Sequence, residues 1–411
     1  MEKIVITGMG TVNPLGLTVE ESWANLVGGV SGVAPITLFD PAPLNVHFAA
    51  EVKNFNPDQF MDAKEARRRD RFEQLGAAAA KMAIADSGLE ITESNAGKIG
   101  VLVSSAIGGI KSLSDAVITN FTEGPRRVSP FLIPMLMPNG AAGMVAIDHQ
   151  IKGPCFSVAS ACASGADGIG VALLMLKAGM IDAAVAGGAE ATICSVGVAA
   201  FDRVGAMSRR NDDYSMVPQP FDKNRDGLVM GEGAGVVVLE RETDAKKRGA
   251  TIFAELAGYG ATADAYHVTA PHETGAGGAA AMKMALDSAG ANADELGYIN
   301  AHGTGTPLND QSETRAVKAA FGGRAYQIPI SSTKSMTGHM MGATGALEVI
   351  FCVQAIRDGI LPPTIHYQTP DPECDLDYIP NQAREKKINL AISNAFGFGG
   401  HNSVLAVRRY S

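Results

Sequence analysis

The 411-residue sequence lacks the patterns that mark disulfide frameworks and cysteine- or histidine-based metal centres. It contains five cysteines and eight histidines, but no Cys-x-x-Cys pair, no His-x-x-x-His motif and no other metal-ligand spacing. The cysteines are odd in number and scattered, which favours a reduced, cytoplasmic protein. We therefore expect no catalytic metal.

Features of exported, membrane-spanning and nucleic-acid-binding proteins are also missing. Residues 1–10 do not have the layout of a signal peptide. The most apolar stretch, residues 163–201, is interrupted by charged residues such as Asp167 and Lys177, so buried elements fit it better than a membrane span. A net charge of −9 disfavours attraction to nucleic acid. We expect neither a membrane nor a nucleic acid as partner.

Two glycine-rich segments do not match nucleotide-binding loops. Gly8-Met-Gly10 has no third glycine in register, and residues 231–235 precede a strand-like run rather than a helix. The sequence therefore predicts neither a dinucleotide site nor a phosphate cradle.

Apolar β-type runs alternate with helical patterns along the chain, and no low-complexity linker divides it. This alternation predicts an α/β architecture. The predicted strands cover residues 3–7, 99–104, 183–186, 235–239, 298–301 and 404–407. The predicted helices cover residues 69–87, 165–178, 277–289 and 345–358.

One internal similarity suggests a duplication. Ala163-Ser-Gly-Ala166 opens an apolar helical pattern, and Ala343-Thr-Gly-Ala346 opens another at an offset of 343 − 163 = 180 residues. A strand with a glycine-rich turn follows each helix. We predict two related halves, residues 1–250 and 251–411. The alternative is that two small-residue helix starts are alike by chance.

The segment Ser160-Ala-Cys162-Ala-Ser-Gly165 is a candidate nucleophile turn. It lies between a strand-like run and a helix, where unpaired N–H groups and the helix dipole favour a thiolate. Small neighbours permit a tight turn that exposes the sulfur. A buried structural cysteine is the alternative, and this segment alone does not decide between them.

Two histidines also follow strand-like runs. His302 begins a Gly-Thr-Gly-Thr-Pro segment, and His339 lies just before the second repeated helix. Sites of α/β proteins form at such strand ends. The alternatives are a surface residue for His302 and a polar cap for His339. Residues 393–402 are too glycine-rich for regular structure, which is typical of a loop with positive φ angles.

Together these residues suit carbon–carbon bond formation from a malonyl thioester. A thiolate at Cys162 would take an acyl group. Neutral N–H donors on His302 and His339 would hold the thioester oxygen of malonyl while decarboxylation makes it an enolate.

Four motifs in this order resemble the elongating β-ketoacyl-acyl carrier protein synthases of bacterial fatty acid synthesis, over essentially the full length and closest to type II. The motifs are Ser160-Ala-Cys-Ala-Ser-Gly165, His302-Gly-Thr-Gly-Thr-Pro307, Ser331-Ser-Thr-Lys-Ser-Met-Thr-Gly-His339 and Asn394-Ala-Phe-Gly-Phe-Gly-Gly400. The resemblance implies the thiolase fold, with five αβαβα layers from two similar halves, usually as a homodimer. It implies condensation of an acyl thioester with malonyl-acyl carrier protein to give a 3-oxoacyl product. It implies no resident cofactor, because phosphopantetheine arrives on the carrier.

The resemblance also implies roles for individual residues. At the reaction centre, Cys162 would be the acylated nucleophile, and His302 and His339 would be the malonyl-binding pair. Lys334 would be paired with Glu348, and Asp310 and Glu313 would be supporting acids. Phe398 would be a gate, and its N–H would join that of Cys162 in the oxyanion hole. Thr304 and Thr306 would contact the phosphopantetheine arm, and Ile107 and Phe201 would line the acyl pocket. The residues that would dock the carrier are Lys64, Arg67, Arg68, Arg126 and Arg127, and Arg69 and Arg71 would add to the local charge. Positions that hold a structural K⁺ or Na⁺ in some relatives are Asn300, Glu348, Ser393 and Asn394.

The chain departs from the usual family pattern at four places. Gly305 replaces a common Ser, and His401 replaces a common Thr. Gly205 replaces a basic carrier-docking residue, which puts that contact in doubt. Residues 135–140 are unusual and would alter the acyl pocket or the dimer contact.

Related functions remain as alternatives. A thiolase would have a second cysteine in the final glycine-rich loop, and an initiating synthase would have Asn in place of His339. A polyketide ketosynthase shares the same chemistry. A non-catalytic chain-length factor typically lacks the nucleophile, so Cys162 argues against it. Sequence leaves the preferred acyl length open.

Overall fold

A computed structural model describes residues 2–411, and its main feature is one nine-stranded mixed sheet. The strands of the described chain are β1 (Ile4–Val12), β2 (Ala34–Pro35), β3 (Phe48–Ala49), β4 (Ile99–Ser104), β5 (Ala183–Glu190), β6 (Gly233–Arg241), β7 (Ala254–Ala263), β8 (Tyr298–Asn300), β9 (Ile330–Ser331), β10 (Ile360–Leu361), β11 (Arg384–Glu385), β12 (Leu390–Gly397) and β13 (His401–Arg408). The large sheet has the order β4-β5-β6-β1-β7-β13-β12-β8-β9.

Helices cover the sheet and separate its two halves. The α-helices are α1 (Val19–Val27), α2 (Ala63–Ala66), α3 (Arg71–Ser87), α4 (Ile110–Thr122), α5 (Leu132–Leu136), α6 (Gly140–His149), α7 (Ser164–Lys177), α8 (Ser195–Arg203), α9 (Glu242–Lys247), α10 (Ala276–Ser288), α11 (Pro307–Phe321), α12 (Lys334–Thr337) and α13 (Thr344–Asp358). Short 3₁₀ helices span Pro57–Gln59, Ala96–Lys98, Pro125–Arg127, Asn211–Met216, Gly322–Gln327 and Met341–Ala343.

The two halves repeat one topology. The sub-order β4-β5-β6-β1 corresponds to β8-β12-β13-β7. In each half the first pair is parallel and the next two pairs are antiparallel. The predicted repeat of two similar halves is therefore confirmed in the strand order.

The repeat extends to the packing of helix on strand. A Cβ at Gly8 or Gly10 of β1 would lie 2.2 or 2.1 Å from a carbonyl oxygen of α3. A Cβ at Gly258 or Gly260 of β7 would lie 2.2 Å from a carbonyl oxygen of α10. Only glycine permits so close an approach. Gly8-Met-Gly10 thus serves helix–strand packing.

Helices α7 and α13 form the central layer. They pack against each other, and each contacts strands from both halves. Every residue of α13 up to Ile356 is buried, as expected of a helix that is covered on all sides. Helices α3 and α6 cover one outer face, while α10 and α11 cover the other. The predicted αβαβα layering is observed.

Most predicted elements are present with bounds shifted by a few residues. One expectation is wrong: residues 393–402 are not mainly irregular. Residues 393–397 belong to β12, which pairs with β13 from Gly397 and His401 onward, so the connecting turn is confined to residues 398–400. Neighbouring strands on both sides supply the hydrogen bonds that override the low β propensity of glycine.

The boundary predicted at residue 250 stays a prediction. Strands β1 and β7 pair through Val5–Glu255 and Ile6–Ala254, so the sheet is continuous between the halves. No helix within residues 2–411 is long and apolar enough to cross a membrane.

Candidate active site

Cys162 lies in a strained turn at the start of central helix α7. The preceding residue, Ala161, has φ of 53°, in the left-handed region that costs a non-glycine residue about 1 kcal/mol or more. Ser164 holds this turn, because its Oγ accepts from Ser160 N at 3.0 Å and donates to Ala161 O at 2.6 Å. The turn presents the sulfur to a cavity.

Burial dominates the charge state of that sulfur. It raises the pKa of the Cys162 thiol to about 11. The backbone N–H of Phe398 and the positive charge of Lys334 lower this pKa, while Glu190 raises it. Burial therefore outweighs the expected stabilisation of the thiolate by the N-terminus of α7, and the resting side chain is a thiol.

His302 and His339 lie side by side on the same cavity. Their ring centroids are 5.2 Å apart and the planes are almost perpendicular, at 85°. Both side chains are buried. Burial, followed by the charge of Lys334, holds the pKa of each imidazole well below its usual value. Both rings are neutral at pH 7, as the predicted donor role requires.

The backbone of each histidine is fixed by its own partner. Glu313 accepts from His302 N at 2.8 Å and from Gly303 N at 2.7 Å. His339 N donates to Val229 O at 2.7 Å. The ring of His339 has a further partner, since its Nδ1 lies 3.1 Å from Thr344 Oγ1.

Lys334 and Glu348 form a buried ion pair beside the histidines. Their side chains are each 1% exposed, and Lys334 Nζ lies 2.7 Å from Glu348 Oε1. Lys334 also donates to Ala301 O at 3.4 Å. Burial raises the pKa of the Glu348 carboxyl to about 7, opposed by Lys334. The two residues predicted as partners are in contact.

Asp310 supports the loop that follows His302. Its carboxylate accepts from Phe221 N at 2.8 Å and from Gly305 N at 3.3 Å, and it lies 3.7 Å from Arg225 Nε. Gly305 has φ of 80°, a left-handed conformation in which serine would be strained. This departure from the family pattern therefore fits the local backbone.

A cavity of about 310 Å³ connects these groups to solvent. Its walls include residues from both halves, namely Cys162, Phe201, His302, Thr304, Thr306, His339 and Phe398. The rings of Phe201 and Phe398 stack at 6.2 Å, and the hydroxyls of Thr304 and Thr306 are 2.9 Å apart. Gly205 also lies on the wall, with open space where a Cβ would be.

Ile107 is not on the wall of this cavity. It belongs to a loop whose backbone is tied to Glu190, a buried carboxylate that accepts from Ser105 Oγ and Ala106 N, both at 2.8 Å. Glu190 also accepts from Gly342 N at 3.1 Å, close to His339. Glu190 therefore links the predicted acyl-pocket loop to the histidine loop.

The unusual segment 135–140 lies under the same loop. Gly109 N donates to Leu136 O at 3.1 Å, and a Cβ on Gly109 would lie 2.0 Å from Met135 O. Ile133, just before the segment, and Met137, within it, are exposed. The segment thus contacts the Ile107 loop and also presents apolar side chains to solvent.

The predicted basic surface is smaller than the sequence suggested. Lys64, Arg67, Arg68, Arg126 and Arg127 are at least partly exposed. Arg69, in contrast, is buried in a two-bond salt bridge with Asp148, and Arg71 pairs with buried Glu232 at 2.6 Å. The contribution of Arg69 and Arg71 to the exposed charge was therefore predicted wrongly, because their partners neutralise them.

Sequence reasoning missed three contacts. Glu190 could have been found as a lone carboxylate at the end of an apolar strand. Thr344 has no local pattern that reveals its contact with His339. Asp264 accepts from Asn402 Nδ2 at 2.8 Å and donates its own N–H to Gly400 O at 2.8 Å, so it holds the turn after Phe398.

Comparison with known proteins places the chain among ketosynthases. The family models described as the N-terminal and C-terminal domains of β-ketoacyl synthase match residues 1–245 and 253–368. The 3-oxoacyl-[acyl-carrier-protein] synthase 2 of Staphylococcus aureus strain COL is 48% identical over 409 residues, covering 100% of this chain and 99% of that protein.

Solved structures give the same result. A β-ketoacyl synthase from Burkholderia phymatum STM815 has a TM-score of 0.92 at 36% identity, with both chains fully covered. A ketosynthase of a type II PKS, solved in complex with its acyl-carrier protein, has a TM-score of 0.91 at 33% identity, again with full coverage. The sequence, the thiolase fold and these full-length matches show that this chain belongs to the β-ketoacyl synthase family.

Proposed function

We propose that this chain catalyses the decarboxylative condensation of an acyl thioester with malonyl-acyl carrier protein, giving a 3-oxoacyl-acyl carrier protein in fatty acid elongation. The observation that carries this proposal is the shared cavity, where Cys162 meets a neutral histidine pair. The higher identity to a 3-oxoacyl-[acyl-carrier-protein] synthase 2 than to a type II PKS ketosynthase favours fatty acid over polyketide synthesis.

In the first half-reaction Cys162 attacks the acyl thioester. The new S–C bond forms as the carrier's thiolate leaves, and the proton of Cys162 goes to that leaving group. The N–H groups of Cys162 and Phe398 hold the oxyanion, since both already lower the pKa of the Cys162 thiol by favouring negative charge there. Deprotonation of a thiol with a pKa near 11 is coupled to this attack.

In the second half-reaction malonyl loses carbon dioxide. The electron pair of the breaking C–C bond forms an enolate, whose oxygen accepts hydrogen bonds from the N–H groups of His302 and His339. Charged rings would give up their protons to the enolate more readily, so neutral donors suit its stabilisation. The enolate carbon then attacks the acyl-cysteine carbonyl, and the thiolate of Cys162 leaves and takes up one proton.

Lys334 and Glu348 act behind the histidines. Burial is the main reason that both imidazoles stay neutral, and the charge of the Lys334 ammonium group lowers their pKa values further. Glu348 compensates that buried charge at 2.7 Å. Glu313 and Asp310 position the His302 loop through its backbone N–H groups.

The resemblance also implies a monovalent cation near this pair, and the residues fit one. Among residues 2–411, four buried polar atoms without a hydrogen-bond partner belong to the predicted set, namely Asn300 Nδ2, Glu348 Oε2, Ser393 Oγ and Asn394 Oδ1. Buried polar groups normally have partners, so three unpaired oxygens favour a hard cation. Glu348, Ser393 and Asn394 would hold it as a structural ion. No cluster of three or more His, Cys, Asp or Glu in the described chain could hold another metal.

The proposed partner is an acyl carrier protein, which is acidic. The overall charge of −9 disfavours it, so docking depends on the exposed basic residues. Lys64, Arg67 and Arg126 are exposed and form no ion pair within residues 2–411, whereas Arg68 pairs with Glu65 and Arg127 with Glu123. The first three therefore carry most of the free charge.

We also propose a homodimer through α4 and α5. None of the residues of α4 or α5 is buried, although α5 is entirely apolar and six of the 13 residues of α4 are apolar. Phe121 is 84% exposed, Ile118 59% and Ile133 62%. A contiguous apolar surface of this kind marks an interaction site. A second copy of the chain is the occupant that the family resemblance implies.

The nucleophile assignment tests the proposed reaction. Cys162→Ala should abolish both the acyl adduct and condensation, while Cys352→Ala, which removes another buried thiol, should retain both. Intact mass measurement after incubation with acyl-carrier protein detects the adduct. Normal acylation of the Cys162→Ala protein would refute the mechanism.

A further inference from the structure

Thr344 forms the one polar contact observed for the ring of His339. Its Oγ1 lies 3.1 Å from His339 Nδ1, and both side chains are 2% exposed. Thr344 is the first residue of α13, whose position is fixed by the surrounding core. The hydroxyl is therefore held at a rigid point of the central layer.

The direction of this hydrogen bond follows from the hydroxyl. Among residues 2–411, Thr344 Oγ1 forms no other hydrogen bond. If His339 Nδ1 donated, the hydroxyl proton would be left buried without an acceptor, which costs about 1–3 kcal/mol. If Thr344 donates, that proton is satisfied and Nδ1 acts as the acceptor. A neutral imidazole then carries its single proton on Nε2.

The backbone of His339 does not control the ring by itself. His339 N donates to Val229 O at 2.7 Å, and His339 O accepts from Gly231 N at 2.8 Å. These bonds fix the main chain, but neither involves the imidazole. In His302 the ring has no hydrogen bond to residues 2–411 at all, so the two histidines are held differently.

We infer that Thr344 is a positioning residue that sets the tautomer of His339, so that Nε2–H is available as the donor in the cavity. The inference rests on the proposed function, because the Nε2 proton is useful only if an oxygen forms in front of it. Thr344 does not line the cavity that Cys162 faces, so its effect should be confined to decarboxylation.

The test compares Thr344→Val, which removes the hydroxyl at nearly constant volume, with Thr344→Ser, which keeps it. Thr337→Val is a matched control, because Thr337 lies two residues before His339 and its hydroxyl donates only to the backbone oxygens of Thr333 and Gly338. Thr344→Val should lower malonyl decarboxylation by about 3- to 30-fold, less than the 100- to 1000-fold typical of a lost donor. Acylation of Cys162 should stay unchanged, and Thr344→Ser and Thr337→Val should match the unaltered protein.

Nitrogen-15 NMR of histidine-labelled protein reads the tautomer without any assay of activity. The His339 signal, identified by its loss in His339→Gln, should show a protonated Nε2 and a bare Nδ1. In Thr344→Val it should shift towards a mixture of tautomers, and in Thr344→Ser it should not. A protonated Nδ1 in the unaltered protein would overturn the inference even if Thr344→Val fails to fold. The spectrum is independent of catalysis. It therefore tests the tautomer of His339 even if the protein does not catalyse the proposed reaction, so the two failures can be told apart.

Discussion

The Lys334–Glu348 ion pair provides a quantitative test of how burial and charge are balanced behind the histidines. Lys334→Met removes the ammonium group and leaves Glu348 in a site that is 1% exposed. At 2.7 Å and an effective dielectric constant of about 20, the lost attraction is on the order of 6 kcal/mol. Desolvation offsets part of it, so we expect the free energy of unfolding to fall by about 3–5 kcal/mol.

The stability that Lys334→Met loses should depend on pH, and the pKa of Glu348 determines the direction. Burial raises that pKa to about 7 from 4.5, so between these values the folded protein keeps a proton that the unfolded chain releases, and stability falls as pH rises. Without Lys334 the pKa of Glu348 rises further, so the stability of the variant continues to fall above pH 7. The cost of Lys334→Met should therefore grow from pH 6.5 to pH 8.5, by at most about 1.4 kcal/mol per pH unit.

Urea unfolding followed by circular dichroism measures these changes. Lys334→Met/Glu348→Leu removes both charges, so it should cost less than the two single changes added together, by about 0.5–3 kcal/mol. It should also lose the added pH dependence. A cost below about 1 kcal/mol for Lys334→Met, or a cost that does not change with pH, would refute the assignment of a buried, mutually compensating pair.

Four other predictions concern reactivity, specificity and assembly. Because burial raises the pKa of Cys162 to about 11, its alkylation by iodoacetamide should rise about tenfold per pH unit from pH 7 to pH 9, and a plateau in that range would contradict the assignment. If the acyl chain extends beyond the cavity to the half-buried Ile107, Ile107→Phe should reduce condensation of long acyl chains by roughly tenfold or more and spare short ones, since accommodating added bulk costs about 1–3 kcal/mol, whereas an even loss at every length would defeat the pocket role. Arg67→Glu and Arg126→Glu should raise KM for carrier-bound substrate but not for a small thioester mimic, and an equal loss on both would indicate damage to the fold instead. Phe121→Asp, at a side chain that is 84% exposed, should convert dimer to monomer in sedimentation, and an unchanged species would place the interface elsewhere.

The sequence by itself determined the α/β class, the duplicated halves and the residues of the cavity. These features depend on local order: strand and helix periodicities, small residues at turns, and motifs at strand ends. Cys162, His302 and His339 were named from such segments, and Lys334 and Glu348 from the family resemblance; the structure brings them together. Their catalytic roles stay predictions until the variants are measured.

Only the tertiary structure decided which charges are free and which are paired. Arg71 and Glu232 are 161 positions apart in the chain, so no local pattern shows that they neutralise each other. The same holds for Glu190, which joins the Ile107 loop to Gly342 across 152 positions. Long-range pairs of this kind exist only once the chain has folded.

The tertiary structure also decided the charge state of Cys162. The dipole of α7 is a local property, and it favours a thiolate. Burial is a property of the whole fold, because the halves close over the turn, and it makes the thiol the resting form. The sequence thus named the nucleophile, whereas the packing around it determined its pKa.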